Sequence, residues 1–85
     1  MVDEAYTPAS RNSAAIEKIL DFQDPTAGLA VYALVAFYEE IHAPARHVKI
    51  VWALDLPPGV VGQALDVLIA ADLIREEDGD FFLAA

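Results

Sequence analysis

The sequence predicts a mainly α-helical domain closed by a small C-terminal β-hairpin. Three observations predict it. Apolar residues recur at helical spacing from Ile16 to Leu68, Asp24-Pro25 and Pro57-Pro58 punctuate that stretch into helix-length segments, and Asp78-Gly79 separates two short runs near the end.

Taken in order, residues 1–12 mix Pro8, Ser10 and scattered charges without periodicity and read as a flexible N-terminal tail, leaving 13–85 as one domain. From Ser13, the positions Ile16, Ile19 and Leu20 give a short helix with one apolar stripe, capped by Asn12 or Ser13. Asp24 followed by Pro25 starts the next helix, because the carboxylate accepts from otherwise unpaired amides and proline presets φ at the first helical position. That helix, over 25–42, is apolar nearly all round. Val31, Leu34, Val35, Tyr38 and Ile41 make one face, and Leu29, Ala30, Ala33, Ala36 and Phe37 another. A helix of this kind in a small protein calls for cover on both sides, by its own core and by a second chain. The expected contact is a symmetric homodimer with Leu29, Ala33 and Phe37 near the axis.

Pro44 ends this helix. A third follows over 46–54, with Ile50, Val51 and Leu54 on one side, and Asp55-Leu56-Pro57-Pro58 breaks it. The fourth, over 58–71, turns Val61, Ala64, Leu65 and Leu68 inward, so that Leu65 and Leu68 are expected against Ile50 and Leu54. Leu73 and Ile74 enter an extended run, and Asp78-Gly79 suits the positive φ angles of a two-residue hairpin turn.

Composition bounds what such a domain does. At 85 residues and 56% hydrophobic, with eight aromatics, the chain forms a thin but real core. It has no cysteine, which excludes disulfides, thiolate metal sites and thiol nucleophiles and suits a reducing compartment. The acidic N-terminus lacks the pattern of a signal peptide, and the longest apolar run, 27–38, is twelve residues where a membrane span needs about 20. The cytoplasm is the expected location, with no membrane partner. Fourteen acidic against five basic residues give a charge of −9, which repels phosphate backbones. A salt-adapted proteome produces the same composition, and the small number of lysines, Lys18 and Lys49, is in keeping with one.

The stretch 46–83, RHVKIVWALDLPPGVVGQALDVLIAADLIREEDGDFFL, carries Ile50, Val51, Leu54 and Leu56, the Pro57-Pro58 start, Val61, Leu65 and Leu68, then Ala71-Asp72-Leu73-Ile74 and the hairpin. On those residues it resembles, without gaps, the winged helix-turn-helix superfamily. The resemblance implies a winged helix with extra N-terminal helices, and it makes 58–71 the helix that DNA-binding relatives lay in the major groove. In those relatives the outward positions are rich in Ser, Thr, Arg, Lys and Gln. Here they are Gly59, Val60, Gly62, Gln63, Asp66 and Val67, without the Arg or Lys that guanine readout and phosphate contact use. The same alignment leaves Val48, Trp52, Val60 and Val67 on outer positions, where an exposed Trp among valines resembles a protein interface, unless these residues pack on the N-terminal helix.

Two functions follow. The first is a protein-interaction and dimerisation module in a regulatory setting, using Val48, Trp52, Val60 and Val67 toward a protein partner. The alternative is a DNA-binding regulator that contacts the duplex through Arg46, Lys49, Gln63 and Arg75. Enzymatic chemistry and cofactors are not expected. His42 and His47 are five apart across Pro44, outside helical ligand spacing. Glu76, Glu77, Asp78 and Asp80 lack the ordered ligands of a calcium loop, and Ser10 and Ser13 have no neighbouring base.

Overall fold

A computed structural model describes the backbone of residues 8–84 and the side chains of 13–84. Four helices and three strands follow one another: α1 (Pro8–Leu20), α2 (Pro25–Glu40), β1 (Ala45–Arg46), α3 (His47–Leu54), α4 (Pro58–Ala70), β2 (Ile74–Glu77) and β3 (Asp80–Leu83). The strands form one antiparallel sheet in the order β1-β3-β2.

The helix signals in the sequence act as capping chemistry does. The Asp24 carboxylate accepts from the Ala27 amide at 3.2 Å, and Pro25 occupies the first turn of α2. α2 and α4 end in the same way. His42 and Asp72 adopt left-handed φ angles of 58° and 62°, the amides of Ala43 and Leu73 donate back to the carbonyls of Tyr38 and Leu68, and the chain turns out of each helix. His42 is therefore a helix-end residue. The hairpin turn places Asp78 at φ 54° and Gly79 at φ 84°, the left-handed pair a two-residue turn requires.

α2 and α4 end at Glu40 and Ala70, short of the expected 42 and 71, and two helix starts differ from the sequence reading. α1 begins at Pro8, five residues inside the stretch assigned to the tail, with proline at the helix start as on α2; residues 1–7 lie outside the described residues. The chain at 45–46 is a strand before it is a helix. Arg46 is extended, at φ −117° and ψ 153°, and Ala45 and Arg46 pair with Phe81 and Asp80, so the hairpin gains a third strand and α3 starts one residue later.

The core lies where α2 and α4 cross, closed at one end by the sheet. Val31 and Val35 of α2, Ile50 of α3, Val61, Leu65 and Leu68 of α4, Ile74 of β2 and Ile19 of α1 are buried in one cluster, with Leu54 packed against it. Leu65 and Leu68, expected against Ile50 and Leu54, share this cluster with Ile50. α1 joins through Gly28, where a Cβ would lie 3.0 Å from both Ile19 Cγ2 and Phe22 Cδ2; glycine is what allows that approach.

Candidate interaction surfaces

No polar or charged side chain is buried among the described residues, and no group of three or more of their His, Asp and Glu side chains is disposed to hold a metal ion. No single described helix is long and apolar enough to cross a membrane. The distinctive features lie on the surface, where apolar side chains stand in three places.

The first is the outer side of α2. Because residues three and four apart share one side of a helix, Leu29, Ala33, Ala36 and Phe37 line a shallow groove of about 740 Å³, flanked by Ile16 of α1 and Leu83 of β3. Phe37 is 50% exposed, and Glu39, Glu40 and His42 rim the far end. Glu39 is anchored there, its Oε1 accepting from the Leu83 amide at 2.9 Å, which ties the end of α2 to β3.

The second is the outer side of α3, where Val48 and Trp52 lie one turn apart and border a groove with Tyr38, Lys49 and Ala53. Trp52 is 83% exposed and Val48 58%. Lys49, although exposed, is engaged within the molecule. Its ammonium lies 5.3 Å from the centre of the Tyr38 ring and donates to the Pro44 carbonyl at 3.2 Å.

Val60 and Val67 belong to neither. They line a third groove with Phe22, Gln23, Asp24, Ala27 and Gln63, between α4 and the α1–α2 turn. Val60 is half-buried against the core, and Val67 sits at the edge of exposure. The four residues expected to present one protein-facing patch are thus divided: Val48 and Trp52 stand free of the N-terminal helix, while the two valines of α4 face the turn that follows it.

The described basic side chains are occupied. Arg46 Nε donates to Asp80 Oδ1 at 2.8 Å. Arg75 Nε pairs with Glu77 Oε2 at 2.9 Å, its Nη1 donates to the Leu83 carbonyl at 2.9 Å, and its guanidinium stacks 4.9 Å from the Phe82 ring centre. Lys18 Nζ donates to the Ala71 carbonyl at 3.2 Å, at the C-terminal end of α4, where a cation suits the helix dipole. Every described Lys and Arg side chain therefore has an intramolecular partner. Of the residues assigned to DNA contact, only Gln63 is exposed on α4, beside Asp66 and with no cation on that helix. His47 Nε2 lies 3.1 Å from the Pro58 carbonyl and joins the two helices. These internal partners, up to 53 residues away in sequence, are not visible to helical periodicity.

No protein-family model, curated protein or solved structure matches this chain.

Proposed function

We propose that the chain is a winged-helix domain that works as a protein-interaction and dimerisation module in a regulatory setting in the cytoplasm. The order of α2, β1, α3, α4, β2 and β3, with β1 joined to the hairpin through β3, supports the winged-helix reading. In it α4 is the recognition helix and the β2–β3 hairpin the wing.

One observation carries the preference for protein over DNA: the described cations, though exposed, are each bonded to a group of the same chain, while large apolar side chains, Trp52 above all, stand at the surface without cover. To touch phosphate, Arg46, Lys49 and Arg75 would each have to share a side chain already bonded within the molecule, in the field of a chain carrying −9. The turn of the wing adds Glu77 and Asp78, both exposed, to that repulsion. An exposed Trp beside Val48 has the opposite preference, since it buries large area at small entropic cost.

The test is a titration of a labelled pool of random-sequence duplexes at low salt, where attraction to DNA is greatest, with folding verified by circular dichroism in the same buffer. This function predicts no retained duplex. Selection of a defined duplex that is released as salt rises would establish the regulator function in its place.

A further inference from the structure

The outer side of α2 is symmetric about Ala33. Leu29 precedes Ala33 by four residues and Phe37 follows it by four; Ala30 and Ala36 stand three away on either side, and Thr26 and Glu40 seven away. Three, four and seven are the separations that keep residues on one side of an α-helix. A twofold axis at Ala33 between antiparallel α2 helices therefore sets Leu29 against the partner's Phe37 twice, with alanines at the centre where the backbones approach.

The C-terminal end of α2 also favours such a partner. The last turn holds Glu39 and Glu40 and no base, against the preference of a helix C-terminus for cations. The N-terminus already carries its acid, the Asp24 cap, and the first turn after it holds no other. An antiparallel partner relieves the mismatch at the C-terminal end, bringing Glu40 to the first turn of the partner's α2 beside Thr26. Ile16 and Leu83 on the flanks extend the apolar contact beyond the helix itself.

We propose that two copies of this chain pair through the outer face of α2, as antiparallel helices crossing on a twofold axis at Ala33. The proposal rests on the interaction-module function above and names the occupant of one of its surfaces.

The chain contains no cysteine, so Ala33→Cys introduces a single thiol per copy, and Ala53→Cys does the same beside Trp52. Sedimentation of the native chain should give a dimer at tens of micromolar. Phe37→Glu, at an exposed position, should weaken association at least tenfold with an unchanged circular dichroism spectrum. On mild oxidation Ala33→Cys should cross-link two copies and Ala53→Cys should not. A native monomer, or a dimer indifferent to Phe37→Glu, overturns the proposal. A dimer dissolved by Phe37→Glu in which Ala33→Cys fails to cross-link overturns the register. A dimer dissolved by Trp52→Glu and not by Phe37→Glu overturns the choice of face and leaves the interaction function standing, whereas a monomer that binds a defined duplex tightly overturns both.

Discussion

Along α2, Ala27, Val31 and Val35 are buried, while Leu29, Ala33 and Phe37, on the other side of the same helix, run from half-buried to exposed. The residue types are alike and their surroundings are opposite. Below about 100 residues a fold has apolar surface to spare and only one core to put it in, so hydrophobicity alone does not decide burial. What decides is which side α4 and the sheet approach. Val31 and Val35 hold the fold, and Leu29 and Phe37 remain at its surface, where the proposed pairing would use them.

The contrast is broken most directly from the inner side. Leu65 of α4, 2% exposed in the cluster with Val31 and Ile50, should lose roughly 2 to 5 kcal/mol of stability as Leu65→Ala. Denaturant unfolding measures it, and a domain this size has little to spare.

Glycines sharpen the comparison at an intermediate scale. Gly28→Ala forces a methyl to 3.0 Å from Ile19 and Phe22, so overpacking of about 1 to 3 kcal/mol should exceed the roughly 0.5 to 1 kcal/mol a helix gains by losing glycine. At Gly62 the nearest atom to a new Cβ is His47 Nε2 at 3.7 Å, ordinary contact, so Gly62→Ala should stabilise by about 0.5 to 1 kcal/mol. Opposite signs for the two substitutions in thermal unfolding distinguish a packed from an open helix face.

Smallest of all is the outer side of α3. Trp52→Ala should change stability by no more than about 0.5 kcal/mol, because the ring rests on almost nothing. The emission of Trp52, the chain's single tryptophan, should be that of a solvated indole. A blue-shifted spectrum in the isolated domain, or a large loss of stability, would place the ring in a contact the fold does not have.

Much of this architecture was legible in the sequence because it depends on local chemistry. Asp24-Pro25 marks the start of α2, Asp78-Gly79 marks the turn, and the spacing of Val61, Ala64, Leu65 and Leu68 identifies the buried side of α4. β1 was not legible. Two residues cannot show alternation, and Ala45 is a strand residue only because Phe81 lies beside it. The helix start at Pro8 was hidden by the polar residues that follow it, although proline is a common first helical residue.

The surfaces divide in the same way. The resemblance to winged helices put Val48, Trp52, Val60 and Val67 on outer positions, but which of them share a groove depends on where Phe22 and the α1–α2 turn settle. The partners of Arg46 and Lys18 are 34 and 53 residues distant, so the occupation of the cations is a property of the folded chain.

The proposed pairing through the outer face of α2 is read from the mass of the native chain in solution across a salt series. Two copies each carrying −9 repel at long range, and salt screens that repulsion while leaving apolar contact intact. The account predicts twice the chain mass of 9.2 kDa at tens of micromolar, with the dimer fraction rising from low to high salt. A mass of 9.2 kDa at every salt concentration, in folded protein, would contradict it.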